Sequence, residues 1–314
     1  MFFSYWVSFL LWCFSIYCIN NMHTDICCNG CTKAKIMAMP VYPCIWFDNQ
    51  AKEAASLYCS VFKNSRIISE SPIVVSFELN GKKHMALNGG PMFSITPSIS
   101  LFATCDSEEE TNRIWDELAK DGSVLIPIGT YPWSERYGWL KDRFGMTWQI
   151  SSSGAKDGNL RIIPSLLFTD EKFGKAAEAV SFYLGIFENT SLNEMQKYPE
   201  GDANAGKTLY SEFSLNTAEF IAMDGPGEHH FDFSEGVSLV IECEDQQEID
   251  HYWEKLTAGG QESMCGWLKD KFGVSWQVFP KILNQLMSDP EKAARVFESF
   301  KNMRKFEIDK LDVG

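Results

Sequence analysis

The chain has 314 residues, of which 45% are hydrophobic and 22% are charged, and its formal net charge is −14. These proportions are those of a folded globular protein and exclude a disordered or fibrous one. Because nucleic-acid binding needs a concentrated basic surface, and the sequence has no cluster of Lys and Arg, the charge argues against a nucleic-acid partner. An acidic balance is typical of a soluble protein, and we expect a cytoplasmic location.

The chain begins with an uncharged stretch at residues 2–19 that is just long enough to span a bilayer. This stretch lacks the basic beginning and the small-residue cleavage site of a secretory signal. Five of the ten Cys lie between Cys13 and Cys31, without a second ligand pair at zinc-finger spacing. We expect residues 1–38 to stand outside the folded unit, as a leader or a non-native extension. The alternative is a membrane anchor at residues 2–19.

From residue 39 onward, the sequence contains one pattern twice in the same order. YGWLKDRFGMTWQI at Tyr137–Ile150 returns as CGWLKDKFGVSWQV at Cys265–Val278. EAASLYCSVFKNS at Glu53–Ser65 returns as EAVSFYLGIFENT at Glu178–Thr190. A period this long indicates duplicated globular domains, whereas solenoid repeats span roughly 20–50 residues. We therefore predict a first domain at residues 39–155 and a second at residues 160–280.

Each copy alternates short apolar strands with amphipathic helices. In the first copy, apolar residues at helical spacing predict helices at Lys52–Phe62 and Glu108–Lys120. Alternating patterns and turn residues predict these strands: Val41–Phe47, Arg66–Ser69, Val74–Leu79, His84–Leu87, Ile99–Cys105, Val124–Ile126, Gly138–Leu140 and Thr147–Ile150. The element order βαβββ therefore occurs twice in each copy.

The predicted fold is α+β, with two domains that each consist of two paired βαβββ modules. Two such sheets would enclose a cleft, which is the natural place for a small ligand. Lys156–Asn159 is the predicted inter-domain linker. Residues 281–314 are predicted to form a C-terminal helical tail with helices at Ile282–Met287 and Pro290–Met303, the second capped near Asp289.

These motifs resemble the PhnB-like branch of the vicinal oxygen chelate superfamily, which includes glyoxalases, bleomycin-resistance proteins and extradiol dioxygenases. The branch is often labelled 3-demethylubiquinone-9 3-methyltransferase. The resemblance rests on Pro43–Tyr58, Met85–Pro91, the two GWLKD blocks and the tail Asp289–Leu311. It implies tandem glyoxalase-like domains. Single-domain members usually dimerise to complete their sheets, so this chain is expected to be a monomer that acts as a pseudo-dimer, or a weak homodimer.

The resemblance also implies where a metal site would lie, because superfamily enzymes hold a divalent ion with His, Gln or Glu from strand one, strand five and the last strand. At the first two positions stand side chains that are poor ligands: Tyr42, Ile163, Ile99 and Val237. The last-strand position is Gln149 in one copy and Gln277 in the other. A single neutral amide does not hold a divalent ion. No metal and no cofactor is therefore expected.

Strand alternation indicates which other side chains line the cleft. If Gln149 points into it, its two neighbours point toward the helices. Trp46 lies on the same face of strand one as Tyr42, which makes it an aromatic wall of the first cleft, and Leu167 is its counterpart in the second. His84 is a further cleft candidate. The alternatives are an ordinary core position for Trp46 and a hydrogen-bonded structural role for His84.

Two predicted loops hold candidate lid or rim residues. The segment Ile126–Arg136 is longer than its counterpart in the second copy, and its Trp133 and Arg136 are candidates for a lid or a partner contact. His229 and His230 lie beside acidic residues and are expected in a solvated loop or at the rim of a cleft. An ordinary surface loop is the alternative for the first segment, and a metal site for the two His.

The sequence lacks a fingerprint of a methyl-donor site. Such donors normally bind a Gly-rich turn after the first strand of a doubly wound sheet, whereas the Gly-containing turns at residues 88–90 and 224–225 are expected between antiparallel strands. Our first hypothesis is a metal-free protein that binds a small molecule. The alternative is a lyase, isomerase or dioxygenase of the superfamily with an altered metal site, and a third hypothesis is a module that acts through protein contacts.

Overall fold

The computed structural model describes residues 41–152 and 160–311. The predictions for residues 1–38, for a membrane anchor at residues 2–19 and for the inter-domain linker therefore lie outside the described residues. None of the helices in the two described stretches has the length and apolar content required to cross a bilayer. In the same stretches, five cysteines are free thiols, three of them buried.

The described chain forms four βαβββ modules and a helical tail. Module 1 comprises β1 (Tyr42–Phe47), α1 (Ala51–Val61), β2 (Arg66–Glu70), β3 (Val74–Leu79) and β4 (Lys82–Asn88). Module 2 comprises β5 (Ile99–Cys105), α2 (Glu108–Leu118), β6 (Ser123–Tyr131), β7 (Ser134–Lys141) and β8 (Thr147–Ser152). Module 3 comprises β9 (Arg161–Phe168), α3 (Ala176–Leu184), β10 (Ser191–Lys197), β11 (Thr208–Leu215) and β12 (Ala218–Asp224). Module 4 comprises β13 (Val237–Cys243), α4 (Gln246–Thr257), β14 (Gln261–Glu262), β15 (Trp267–Lys269) and β16 (Ser275–Pro280), and the tail comprises α5 (Ile282–Ser288) and α6 (Pro290–Phe300).

The modules join into two eight-stranded sheets, and each sheet takes one module from each half of the chain. Sheet I has the strand order β14-β15-β16-β13-β1-β4-β3-β2, and sheet II has the order β10-β11-β12-β9-β5-β8-β7-β6. Antiparallel pairing of β1 with β13 joins modules 1 and 4, and pairing of β5 with β9 joins modules 2 and 3. The α+β class, the tandem modules and the tail are confirmed. The sheet partners, however, differ from the expected pairing of neighbouring modules.

The two modules of one half meet through their helices. Helix α1 packs on β3 and β4, and α2 packs on β7 and β8. Trp148 of module 2 has its ring centroid 5.0 Å from that of Tyr58 in α1 and stacks on Phe62 at 5.1 Å. In the second half, Trp276 of module 4 lies 5.4 Å from Tyr183 in α3. The sheets therefore connect the two halves, and the helix layers connect the modules within each half.

A buried carboxylate organises each helix layer. Asp142 accepts hydrogen bonds from Tyr58 Oη and Trp148 Nε1, both at 2.8 Å, and from the backbone N–H groups two and four residues ahead. Asp270 accepts the same four kinds of bond, with Tyr183 and Trp276 as the side-chain donors. Burial raises the pKa of both carboxyl groups, and these hydrogen bonds oppose the rise. The spacing of six residues from Asp to Trp recurs in both halves because it lets the indole N–H reach the buried carboxylate.

Two predicted connections have a different form in the structure. The segment expected as a loop at residues 126–136 is a β-hairpin, because β6 pairs antiparallel with β7 and only residues 132 and 133 remain at its tip. Pro127 is compatible with β6 because this strand lies at the edge of sheet II. The Gly-containing segments after β4 and β12 lead from one sheet to the other, instead of joining antiparallel neighbours.

Candidate functional site

The cleft face of each sheet is the face turned away from helices α1–α4. In sheet I, the side chains of Cys44 and Gln277 lie on this face, because both hydrogen-bond with Ser238. Alternation along β1 then places Tyr42 and Trp46 there as well. In sheet II, the register of β5, β8 and β9 places the counterparts on the equivalent face: Ser100, Gln149, Ser165 and Leu167. Five of the predicted cleft residues thus lie on the expected faces: Tyr42, Trp46, Gln149, Leu167 and Gln277.

Ile99 and Val237 were expected on the cleft faces and instead point toward the helices. Leu101 pairs with Trp148, whose ring contacts α1, so Leu101 and Ile99 share the helix-facing side of β5. Ser238 pairs with Cys44, which leaves Val237 on the opposite side of β13. A shift of one residue exchanges the two faces of a strand, and the prediction was wrong by that one residue. Ser100 and Ser238 occupy the cleft-facing positions that were predicted for Ile99 and Val237.

His84 also lies in the helix layer and not in the cleft. It pairs with Phe77 across β3 and β4, and the two rings stack with centroids 5.4 Å apart. The side chain is 1% exposed, and its Nδ1 lies 2.8 Å from the carbonyl oxygen of Lys82. Burial lowers the pKa of His84 to about 4, so the ring is neutral near pH 7. These contacts agree with the alternative reading, in which His84 has a hydrogen-bonded structural role.

At the centre of each cleft, a glutamine amide joins small polar groups. In sheet I, Gln277 Nε2 donates to Ser238 Oγ at 2.9 Å, beside the Cys44 thiol, whose pKa burial raises to about 12. In sheet II, Gln149 Nε2 donates to Ser100 Oγ at 2.8 Å, and its Oε1 accepts from Tyr137 Oη at 2.7 Å. These donor sets consist of an amide, hydroxyl groups and a protonated thiol.

Such donor sets do not fit the divalent ion that the fold family implies, because zinc and its relatives take several imidazole, thiolate or carboxylate ligands. Within residues 41–152 and 160–311, no three His, Cys, Asp or Glu side chains are placed to hold a metal ion. His229 and His230 do not change this, since His230 is exposed and His229 Nε2 lies 3.1 Å from the carbonyl oxygen of Pro226. The described residues of the two clefts therefore do not support a step that depends on a metal ion.

A charged cluster lies at the Tyr42 end of the sheet I cleft. Glu242 Oε1 accepts hydrogen bonds from Tyr42 Oη and Lys83 Nζ, both at 2.6 Å, and from Asn284 Nδ2 at 3.0 Å. Burial alone raises the pKa of Glu242, but the hydrogen bonds from Lys83 and Tyr42 outweigh it, and the pKa lies below its ordinary value. Burial, and the adjacent carboxylate, raise the pKa of Tyr42 well above its ordinary value. Because Asn284 belongs to α5, this cluster ties the tail to the cleft.

A cavity of about 320 Å³ lies at the other end of the sheet I cleft, between β15, the segment after β4 and helix α6. Its apolar walls are aromatic and thioether side chains: Trp46, Met92, Phe93, Met264, Trp267 and Phe297. The Trp46 ring is 4.9 Å from Phe93 and 6.0 Å from Trp267, at interplanar angles of 72° and 78°. Walls that meet nearly at right angles form a corner in which a flat ligand contacts ring faces and edges together.

The position of Trp46 depends on a glycine. A Cβ atom on Gly89 would lie 2.0 Å from the Trp46 ring, so any larger residue there would displace the indole. Trp46 Nε1 also donates to the carbonyl oxygen of Gly90 at 2.7 Å. The GGP turn therefore fixes one wall of the cavity.

The charged groups at the cavity are already paired with one another. Three ion pairs hold them: Lys269–Glu235 at 2.9 Å, Arg304–Glu262 at 3.2 Å and Lys301–Glu298 at 2.5 Å. Ion pairs that solvent reaches in this way add little to stability. They do, however, leave the rim without an uncompensated charge that would select a charged ligand.

The tail closes the cavity from outside the sheet. Helix α6 provides Phe297, and the segment after it is bound to the β14–β15 connection by Cys265 N–H to the Met303 carbonyl at 2.7 Å and by Gly266 N–H to the Arg304 carbonyl at 2.8 Å. Gly266 has φ of +79°, and an added Cβ would lie 2.4 Å from the Val278 carbonyl oxygen. The tail is therefore a structural part of the site, which the sequence did not reveal.

The lid and rim candidates lie around sheet II. Trp133 is 66% exposed at the hairpin tip, where it stacks on Tyr131 at 5.1 Å and meets Tyr137 at 5.8 Å. Arg136 Nε donates to Asn112 Oδ1 at 2.8 Å, which directs it toward α2. His229 lies near Leu167, since an added Cβ on Gly225 would be 3.1 Å from Leu167 Cδ1 and 3.2 Å from His229 Nε2.

Sequence reasoning missed several residues of the two clefts. Ser100 and Ser238 could have been found from the repeated small residue in SISL and GVSL, read with the correct strand register. Trp267 and its counterpart Trp139 lie within the repeated GWLKD motif, which signals a shared role. Phe297 and Met264 come together only in the fold, and no local pattern indicates their proximity.

Comparisons with known proteins show which family the sequence matches. The family described as 3-demethylubiquinone-9 3-methyltransferase matches residues 39–151 and again residues 160–279. A putative 3-demethylubiquinone-9 3-methyltransferase (PhnB protein) from Bacillus cereus is 34% identical, with 38% of this chain covering 99% of that one at a TM-score of 0.34. A protein from Staphylococcus aureus is 30% identical over 37% of this chain and 97% of its own, at a TM-score of 0.17.

Glyoxalase I from Zea mays is 9% identical, and 76% of this chain covers 91% of it at a TM-score of 0.49. No curated protein matches the chain. Because the family match recurs in both halves and spans most of the sequence, the chain belongs to the 3-demethylubiquinone-9 3-methyltransferase family.

Proposed function

We propose that this protein binds a small, flat and mainly apolar molecule in the sheet I cavity, without a metal ion at the centre of the cleft. The observation that carries this proposal is the cavity itself, whose volume of about 320 Å³ falls within the range of small-molecule sites. Aromatic and thioether walls favour an apolar ligand through burial and ring contacts. The paired charges at the rim give no advantage to a charged one.

The proposal favours ligand binding over catalysis because the polar centre holds no group suited to proton transfer or nucleophilic attack. The Cys44 thiol has a pKa raised to about 12, so the thiolate nucleophile is absent near pH 7. The Gln277 amide and the Ser238 hydroxyl are engaged with each other at 2.9 Å. The cleft residues give no support to methyl transfer either.

The test is a thermal-shift screen of planar aromatic compounds, each measured with EDTA and with added divalent ions. A ligand that binds only the native state raises the unfolding midpoint, by an amount that corresponds to about 2.7 kcal/mol at one hundred times its Kd. We expect apolar planar compounds to raise the midpoint equally under both conditions. Naphthalene derivatives such as 1-naphthol serve as the first probes.

Two variants locate the site. Trp46→Leu installs the residue that stands at the same position in the second half, Leu167, and should weaken 1-naphthol binding by about tenfold or more, because one aromatic wall is removed. Leu192→Ala changes an exposed apolar side chain in the edge strand β10 of the other sheet and serves as the control. Midpoint shifts that require divalent ions, or that survive Trp46→Leu unchanged, would contradict the proposal.

A further inference from the structure

The internal duplication gives a residue of the sheet I cavity a counterpart on sheet II. Trp267, which lines the cavity, stands opposite Gln277 in the pairing of β15 with β16. Trp139 stands opposite Gln149 in the pairing of β7 with β8. Because directly opposed residues share a face, Trp139 holds the same position over the sheet II cleft as Trp267 holds over the sheet I cleft.

Trp139 differs from its surroundings in its hydrogen bonding. Its Nε1 is buried and has no partner among the described residues. The neighbouring groups are engaged elsewhere, since Gln149 bonds to Ser100 and accepts from Tyr137. A buried N–H without an acceptor costs roughly 1–3 kcal/mol, which an acceptor supplied by a ligand would recover.

The walls of the sheet II cleft are more polar than those of the sheet I cavity. Leu167 stands where Trp46 stands in sheet I, and Ser165 stands where Cys44 does. The three atoms nearest to an added Cβ on Gly225 belong to Leu167, Thr169 and His229, whereas all three nearest to an added Cβ on Gly89 belong to Trp46. The smaller Leu167 side chain and the hydroxyl group suit a less apolar ligand than the one proposed for sheet I.

An aromatic ladder leads from the surface to this cleft. Trp133 stacks on Tyr131, and both rings approach Tyr137 within 5.8 Å and 5.7 Å. Tyr137 in turn lies 6.2 Å from Phe102 on the cleft face. The ladder belongs to the β6–β7 hairpin, for which the second half has only the short β14 and β15. It provides ring faces on which a planar molecule stacks.

From this placement we propose that the cleft face of sheet II is a second binding site, separate from the sheet I cavity, for a small planar molecule that carries a carbonyl oxygen. Trp139 Nε1–H donates to that oxygen and is the residue that selects for it. The site is distinct in chemistry from the proposed sheet I site, because its specificity comes from a hydrogen bond and not from apolar walls.

The test uses the full chain and a matched pair of probes, acetophenone and cumene, which have similar shape but differ in the carbonyl oxygen. Binding is followed by the indole N–H signals in ¹⁵N-labelled protein, with the Trp139 signal identified by its loss in Trp139→Phe. We expect acetophenone to shift the Trp139 signal and to bind about tenfold more tightly than cumene. In Trp139→Phe, which keeps the ring, this preference should disappear.

The matched control is Trp115→Phe in helix α2, outside both clefts, which should leave the acetophenone preference unchanged. The thermal midpoint of each variant shows whether it folds. The proposal is overturned if acetophenone leaves the Trp139 signal in place, if the two probes bind equally, or if the preference survives Trp139→Phe. Trp46→Leu acts only on the sheet I cavity, so the failure of either proposal is visible without the other.

Discussion

At the scale of single residues, the two buried aspartates each accept four hydrogen bonds. Each accepts from a Tyr, a Trp and two backbone N–H groups, and each is at most 3% exposed. In both halves the Tyr comes from one module and the Trp from the next. A single carboxylate therefore holds two modules together, and its loss leaves several buried donors without an acceptor.

We predict that Asp142→Asn lowers the free energy of unfolding by about 3 kcal/mol, because the amide replaces one acceptor oxygen with a donor that faces Tyr58 and Trp148. Urea denaturation measures the change. Asp116→Asn on the exposed side of α2 is the control and should stay within about 0.5 kcal/mol of the original protein. Equal stability of the two variants would show that Asp142 does not have this role.

His84 gives a second prediction, on the pH dependence of stability. Its pKa is lowered from 6.5 to about 4 by burial, so the unfolded state binds a proton in this range and the native state does not. The stability contribution of the neutral ring is complete above pH 6.5 and is lost as the pH falls toward 4, by about 3 kcal/mol in total.

The duplication supplies the substitution that tests this dependence. Phe220 occupies the position of His84 in the second half and stacks on Phe213 at 5.7 Å, as His84 stacks on Phe77. His84→Phe should match or exceed the original stability at neutral pH, since His84 Nε2 is buried without a partner among the described residues. Its advantage should grow as the pH falls from 6.5 to 4. A difference that stays constant with pH would count against a buried neutral His84.

At the scale of elements, the tail is the feature that distinguishes the two clefts. Helix α6 contributes to the sheet I cavity, and Gly266 makes the close backbone contact that holds the segment after it. The sheet II cleft has the β6–β7 hairpin and its aromatic residues instead. The two clefts are built from copies of the same modules, but different elements lie over them: helix α6 over sheet I and the β6–β7 hairpin over sheet II.

We predict that Gly266→Ala loosens the tail and weakens ligand binding in the sheet I cavity. The added methyl would lie 2.4 Å from the Val278 carbonyl oxygen and 2.8 Å from the Phe306 ring. Gly201→Ala is the control, because Gly201 also has positive φ but no atom within 4 Å of the added methyl. Hydrogen exchange should rise at residues 302–311 by about one to two orders of magnitude in Gly266→Ala alone, which corresponds to roughly 1–3 kcal/mol. Equal exchange in both variants would refute the contact.

Much of this element structure could be predicted from the sequence. The strands Val74–Leu79 and Ile99–Cys105 have the predicted bounds, because apolar periodicity and turn residues act locally. The faces of β5 and β13 could not be fixed by the same means, since Ile99 and Val237 sit in strands whose register depends on distant partners. The cavity was even less accessible, because Trp46, Trp267 and Phe297 come from three remote segments.

At the scale of the whole molecule, the exchange of modules between the halves determines how the chain holds together. Each sheet contains four strands from residues 41–152 and four from residues 160–311. The sequence repeat identifies equal modules but contains no information on which copies pair. Neither half can complete a sheet with its own two modules in the observed arrangement.

We predict that the chain, divided within residues 153–159 and expressed as two polypeptides, purifies as a one-to-one complex. An affinity tag on the first polypeptide should retain the second, because β1 pairs with β13 and β5 with β9. Val240→Pro in the central strand β13 should weaken retention, because it leaves only the β5–β9 pairing, whereas Asn193→Pro in the edge strand β10 should not. Two polypeptides that elute separately as folded monomers would contradict the exchanged sheets.

The exchange also constrains how this gene can diverge. The sheet I cleft takes Trp46 from the first copy and Gln277 from the second, while the sheet II cleft takes Gln149 from the first and Leu167 from the second. In each copy, the first module contributes to one cleft and the second module contributes to the other. Each pocket therefore combines side chains from both copies, and a substitution in either copy is enough to change it.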